Sequence, residues 1–154
     1  MDPELEAAAR RVGTTLCNKW TLERLIGTGG MAAVYIADHK IGRREAIKIL
    51  HADVARDPEL RARFEQEAHA VNRFKHPGAV EIRDIDVTDD GAPFLVMELL
   101  EGKPLSDHAR APGGVALPDL LRWVDELLDV LTAALAQAII HRDIKPDNVF
   151  VMND

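Results

Sequence analysis

Apolar and polar positions alternate along Trp20-Thr21-Leu22-Glu23-Arg24-Leu25-Ile26, which predicts a strand running straight into Gly27-Thr28-Gly29-Gly30. Val34-Tyr35-Ile36 is β-branched and aromatic, a turn follows around Ile41-Gly42-Arg43, and Ala46-Ile47-Lys48-Ile49-Leu50 reads as the next strand. Connections this tight predict an antiparallel meander. Strands resume at Val80-Glu81-Ile82 and Ile85-Asp86-Val87. Asp89-Asp90-Gly91 then turns the chain into Phe94-Leu95-Val96-Met97, whose unbroken apolar character predicts a buried strand.

Helical patterning occurs three times. Asp2 as N-cap and Pro3 at the first position predict a short helix over residues 3–11. Asp57-Pro58-Glu59 supplies a capping carboxylate, a first-turn proline and a first-turn acid, and starts a helix that runs to about Phe74 and stops before His76-Pro77-Gly78. Glu101-Gly102-Lys103-Pro104 reads as a linker. Beyond it, Leu120, Val124, Leu127, Leu128, Leu131 and Leu135 keep a 3.6-residue period on a helix from about Pro118 to Ile139. The fold class is α+β: a strand-rich part carrying one helix, then a helical part.

The 154 residues fit one domain or part of a larger one, and 47% hydrophobic with 29% charged residues is a globular profile. The longest run free of charge and histidine, Leu25 to Ala37, contains three glycines, so no membrane-spanning helix is expected. The opening Met1-Asp2-Pro3-Glu4 lacks the apolar run of a secretory signal. A lone cysteine, Cys17, excludes an internal disulfide and fits a reducing cytoplasm. The net charge of −7 argues against a nucleic-acid surface. It is unevenly spread: 13 Lys+Arg stand against 11 Asp+Glu over residues 1–77, and 6 against 15 over residues 78–154. That shift suits either a solvated surface or two lobes with different electrostatic duties.

Four features carry candidate chemistry. Gly27-x-Gly29-x-x-Ala32-x-Val34 after a strand offers bare backbone amides to phosphate oxygens. The same glycines suit a dinucleotide-binding turn with Met31-Ala32-Ala33 opening a helix, although Val34-Tyr35-Ile36 prefers a strand; a P-loop is excluded, because no Gly-Lys-Ser/Thr follows. Lys48 shares a strand face with Ala46 and Leu50 and is set among apolar neighbours. On the helix from Pro58, the stripe Leu60, Phe64, Val71, Phe74 includes Glu67. A buried acid needs a cation, and Lys48 is the candidate; the alternative is a Glu67 at the wet margin of the stripe. Last, His141-Arg142-Asp143-Ile144-Lys145-Pro146-Asp147-Asn148 packs an acid, a cation two residues on and an amide five residues on into one polar loop. Asp143 suits proton acceptance from a hydroxyl, Lys145 neutralisation of a phosphoryl group, and Asn148 an oxygen ligand for Mg²⁺.

Together these residues resemble the protein kinases, most closely the bacterial serine/threonine kinases related to the eukaryotic (Hanks-type) family. The glycine loop Gly27-Thr28-Gly29-Gly30-Met31-Ala32-Ala33-Val34-Tyr35, the Ala-Ile-Lys strand at Lys48, the hinge-like Val96-Met97-Glu98-Leu99-Leu100-Glu101-Gly102 and the loop His141–Asn148 carry the likeness. The resemblance implies a five-stranded antiparallel small lobe with one helix over residues 13–100, preceded by an extension over 1–12. The hinge exit and the start of a helical large lobe would occupy 101–154. It implies ATP and Mg²⁺ as cofactors and a serine- or threonine-bearing protein as substrate. ATP would contact Ile26, Gly27, Thr28, Gly29, Gly30, Met31, Ala32, Val34, Ala46, Lys48, Met97, Glu98, Leu100 and Phe150. Lys48 held by Glu67 would meet the α- and β-phosphates, Met97 would be the gatekeeper, Asp143 the base, Lys145 the γ-phosphate contact and Asn148 the metal ligand.

Three departures stand out. Ala32 replaces the third glycine of the loop, and Ala138 stands where a glycine is usual, which predicts a slightly longer helix. The sequence ends at Val151-Met152-Asn153-Asp154 without Asp-Phe-Gly or an activation segment, so the expectation is a truncated, inactive portion. The alternative is a nucleotide-binding or regulatory module without catalysis. With the large-lobe helix uncovered, self-association or a covering partner is expected.

Overall fold

The structure, a computed structural model, describes residues 2–154. They form two compact units. The first comprises the described residues up to Arg73 together with Val80–Leu99, and the second comprises Phe74–Ala79 with Leu100–Asp154.

In the first unit, helix α1 (Pro3–Arg10) precedes β1 (Thr15–Leu16), β2 (Trp20–Thr28), β3 (Ala32–His39) and β4 (Arg44–Leu50). A short α2 (Ala52–Ala55) and the long α3 (Pro58–Arg73) follow, then β5 (Ile82–Val87) and β6 (Pro93–Glu98). The six strands form one antiparallel sheet in the order β1-β2-β3-β4-β6-β5. The five expected strands are all present, and the two-residue β1 adds a sixth. Two changes of detail follow from pairing. Residues 80–87 make one strand from Ile82 rather than two, with a register shift between Ile82 and Asp84. Ala32 and Ala33 lie in a strand, so the helix required by a dinucleotide-binding turn does not form.

The sheet buries both faces. On one, Trp20, Leu22, Tyr35, Ile47, Ile49, Phe94 and Val96 form a core that includes Ala8 of α1. Fully burying side chains of this size contributes roughly 1.5–3 kcal/mol each. Tyr35 donates its phenol proton to the Ala8 carbonyl at 2.8 Å, so the buried hydroxyl is satisfied and α1 is tied down; burial raises its pKa. Arg11, just past α1, forks onto Asp90 at 3.2 and 2.8 Å and holds that carboxyl below its usual range, with help from Thr88. On the other face, Phe64 and Ala68 of α3 pack with Ala32, Leu50 and Leu95.

The sequence reading missed Glu45. It is fully buried, on the sheet face of Ile47 and Ile49. Its carboxylate accepts from Trp20 Nε1 at 2.7 Å, pairs with Arg43 Nε at 2.8 Å and meets Arg83 Nη1 at 3.4 Å. Three donors meet the requirement that a buried charge be paired and hydrogen-bonded.

In the second unit, β7 (Gly102–Pro104) leads to α4 (Leu105–Arg110) and α5 (Leu117–Ala136), then a 3₁₀ turn (Pro146–Asn148) and β8 (Phe150–Met152). The expected linker at 101–104 is a strand instead, paired antiparallel with β8. Gly102 makes this possible: a Cβ there would collide with the Val151 carbonyl oxygen and crowd the Met152 Cα. On α5, Leu117, Leu121, Val124, Leu128 and Leu135 are exposed, while Leu120, Leu127 and Leu131 are half-buried.

Helix α5 is not extended by Ala138. It ends at Ala136, and Ala138 takes a left-handed φ of 58°. The Ala138 amide donates to the Leu135 carbonyl and the Ile139 amide to the Ala134 carbonyl, both at 2.9 Å. That pair of bonds is the Schellman closure, formed here with alanine in the position glycine usually takes.

Candidate active site

The nucleotide-side residues lie in the first unit, and strand register collects them. Residues directly opposite in an antiparallel pair share a face. Val34 is opposite both Gly27 and Lys48, Ala46 is opposite Ile36 and Met97, and Ala32 is opposite Leu50. Val34, Ala46, Lys48, Met97 and Ala32 therefore stand on one face, with Gly27 at its edge. Lys48 is half-buried there. Ile26 and Thr28 are exposed near the end of β2, and Gly29, Gly30 and Met31 form the exposed hairpin tip, closed by the Gly29 amide donating to the Ala32 carbonyl at 2.9 Å.

A Cβ added at Gly27 or Gly30 would meet nothing within 4 Å, and at Gly29 only the Ala32 carbonyl oxygen at 3.9 Å. None of the three has a positive φ. Neither packing within the chain nor backbone conformation requires glycine here, so the bare backbone suits an external group brought close to the amides. At the end of β6, the Glu98 amide donates to the Glu81 carbonyl at 3.0 Å, which leaves the Glu98 carbonyl as its backbone group available to a ligand.

Glu67 departs from the reading. It is exposed, and among the described residues no ion pair joins it to Lys48. At about 100° per residue, the inward direction of α3 is set by Phe64 and Ala68, and Glu67 lies about 80° from their bisector. Val71, counted in the stripe, is 39% exposed. The buried face is rotated toward Ala68, and Glu67 falls outside it.

Asp143, Lys145 and Asn148, expected to act together, lie in the second unit and do converge. The Asn148 side-chain amide donates to both the backbone carbonyl and a carboxylate oxygen of Asp143, each at 3.0 Å. Two acceptors facing one end fix the amide orientation and leave its carbonyl oxygen as a free ligand. Lys145 Nζ lies 3.6 Å from the same Asp143 oxygen. His141 Nδ1 accepts the Asp143 amide at 3.2 Å, so in a neutral ring the proton is on Nε2. Arg142 holds a left-handed φ of 68°, which turns the loop. Leu100 is half-buried and Phe150, on β8, is 42% exposed.

The carbonyl oxygen of Asn148 fits a hard cation such as Mg²⁺, which takes few protein ligands and completes its shell with water and phosphate. Among the described residues no cluster of three or more His, Cys, Asp or Glu forms a metal cage. The surface cavity of about 420 Å³ bordered by Ala8, Arg11, Tyr35, Thr88 and Asp90 is lined by neither Lys48 nor any of Gly27, Gly29 and Gly30.

The chain is similar to known proteins. The chain is 43% identical over 151 residues to the serine/threonine-protein kinase Pkn1 of Myxococcus xanthus, covering 97% of this chain and 21% of that protein. It is 37% identical over 146 residues to the serine/threonine-protein kinase PknA of Mycobacterium tuberculosis, covering 92% and 34%. The crystal structure of the Mycobacterium tuberculosis PknI kinase domain superposes with a TM-score of 0.74 at 28% identity, covering 91% of this chain and 57% of that one. The chain thus spans a fifth to a third of the length of these curated relatives. Residues 20–154 match the protein kinase domain family, and the chain belongs to that family of enzymes.

Proposed function

We propose that these residues serve transfer of the γ-phosphoryl group of ATP to a serine or threonine hydroxyl of a protein. The observation that carries this is the register, which sets Lys48 and Gly27 against the same residue, Val34, so that a cation and bare amides share one sheet face. Phosphate oxygens are stabilised by that combination. Val34 and Ala46 cover the adenine from this face, and Met97 is the gatekeeper. Glu98 and Leu100 offer backbone groups to the base.

In the catalytic loop, Asp143 accepts the proton of the attacking hydroxyl and Lys145 offsets charge on the transferring group. Asn148 holds Asp143 in orientation through its amide and presents its carbonyl oxygen outward. Asn148 would hold Mg²⁺, which would supply charge neutralisation for the phosphates. The 154 residues alone bring one clear metal ligand, and Glu67 stands off Lys48. They are therefore expected to bind nucleotide and to turn over poorly or not at all. A nucleotide-binding module without catalysis is the second reading, favoured by that same exposed Glu67.

ATP titrated against the folded chain, with and without Mg²⁺, tests the first reading. Saturable binding that Lys48→Met weakens about tenfold is expected. No detectable binding by a folded sample would refute it. Phosphoryl transfer to serine/threonine peptides separates the two readings: any turnover abolished by Asp143→Asn excludes the non-catalytic module. We place this activity in the cytoplasm, where ATP and reduced Cys17 coexist. The exposed face of α5 is expected to pair with a second copy of the chain; light scattering giving a monomer across the micromolar range would exclude that.

A further inference from the structure

We infer that His51 is a positioning residue for the glycine loop. It sits between β4 and α2, at the N-cap of α2, where serine, threonine, aspartate or asparagine normally turns a side-chain oxygen onto its own helix. His51 makes no such bond. Its ring reaches out of the helix, and Nε2 lies 2.7 Å from the carbonyl oxygen of Gly29. A carbonyl can only accept, so Nε2 carries the proton and donates. The His51 backbone amide donates to the Met31 carbonyl at 2.9 Å. One residue therefore holds the hairpin tip at both Gly29 and Met31.

The hold matters because little else fixes the tip. Gly29, Gly30 and Met31 are exposed, and the tip's own closure is the single Gly29-to-Ala32 bond. Glycine-rich backbone has the largest conformational freedom to lose on ordering. A donor clamped on the Gly29 carbonyl fixes that peptide plane and with it the direction in which the next amide, Gly30 N–H, points. The His51 side chain is only 9% exposed, so the clamp is shielded from competing water. Glu4 of α1 lies 4.0 Å from the same nitrogen, which brings the N-terminal helix up to the residue that holds the loop. His51 acts on the nucleotide through the loop and touches no reacting atom.

This inference rests on the nucleotide-binding reading above, and its test separates the two. His51→Leu removes the donor at similar volume; His51→Gln restores an N–H at nearly the reach of Nε2. The non-hydrolysable ATP analogue AMP-PNP and plain adenosine are titrated against each folded protein. The expected result is about three- to tenfold weaker AMP-PNP binding by His51→Leu, unchanged adenosine binding, and recovery in His51→Gln. Equal affinity for AMP-PNP in His51→Leu and wild type overturns the inference. An equal loss for AMP-PNP and adenosine, or no recovery in His51→Gln, overturns it too, since either marks a structural role. Amide hydrogen exchange on the free chain needs no ligand. His51→Leu should speed exchange of the Gly29 amide while leaving α3 and β6 unchanged. Unaltered exchange at Gly29 refutes the clamp even if wild type binds no nucleotide, an outcome that would refute the functional reading separately.

Discussion

Replacing Ala138 by glycine should stabilise the protein. Ala138 is the left-handed residue of the closure after α5, with φ at 58° and both closing bonds at 2.9 Å. An L-residue with a Cβ is strained in that region by about 1–2 kcal/mol, and glycine is not. The Ala138 side chain is exposed, so deleting its methyl forfeits little burial. Against this, glycine adds conformational freedom to the unfolded chain, a cost of about 0.4–1 kcal/mol. The difference leaves about 0.5–1 kcal/mol in favour of Ala138→Gly. For a chain of this length that raises Tm by about 1–4 °C in the transition that melts α5. Calorimetry reads the shift, and exchange of the Ile139 amide, bonded to Ala134, reads the closure directly. Ala138→Val adds a branched side chain at the same φ and should lower both. If Ala138→Gly left Tm and Ile139 protection unchanged or reduced, the strain argument would fail.

Glu45→Ala leaves Arg43 and Arg83 facing a buried gap and removes the acceptor of Trp20 Nε1, so a loss of about 3–5 kcal/mol is expected by urea denaturation; a loss under about 1 kcal/mol would mean the cluster is solvated. The Asp90 carboxyl is held low by Arg11, so its stabilisation is complete above the unfolded value near 3.9 and is lost as pH falls through the folded one. The pair is 22% and 60% exposed, which limits the effect to about 0.2–1 kcal/mol, and Asp90→Asn should flatten the stability curve between about pH 5 and 3; an unchanged slope would exclude the pair as its source. Burial, and secondarily Asp86, raise the Cys17 thiol, so iodoacetamide at pH 7.5 should label it more slowly in the folded chain than in urea, and equal rates would contradict this.

Much of this architecture is written in local pattern. Period-two alternation and the turns at Gly42 and Gly91, both with φ at 88°, place β3 to β6, because side-chain direction and turn conformation are local properties. Asp57 caps α3 as its sequence implies, accepting from the Glu59 amide at 2.9 Å. The convergence of Asp143, Lys145 and Asn148 is equally legible, since they lie within six residues and their contacts follow from one tight turn. What stayed hidden depends on tertiary partners. His51 follows an apolar strand and has no periodic signature, because its partner is a backbone carbonyl 22 positions away.

Glu45 and Glu67 invert one another, and the reason is geometric. Both are acids that follow an apolar pattern in the sequence. Glu45 alternates with Ile47 and Ile49, a strand signal that places it on the buried face, yet its neighbours Arg43 and Arg44 give the segment a solvated look. Glu67 falls inside its helical stripe only because Phe74 lies on its far side, with Leu60, Val71 and Phe64 all on the other. Phe74 belongs to the second unit, stacked on His76 at 5.9 Å, and so does not report which way α3 faces. Ala68 does report it, but a methyl group contributes little to an apolar pattern while permitting the close approach that sets the packing. A period of two has only two faces, and one residue assigns them. A period of 3.6 is a continuum, and a stripe drawn through a residue that packs elsewhere turns an exposed carboxylate into an apparent core partner for Lys48.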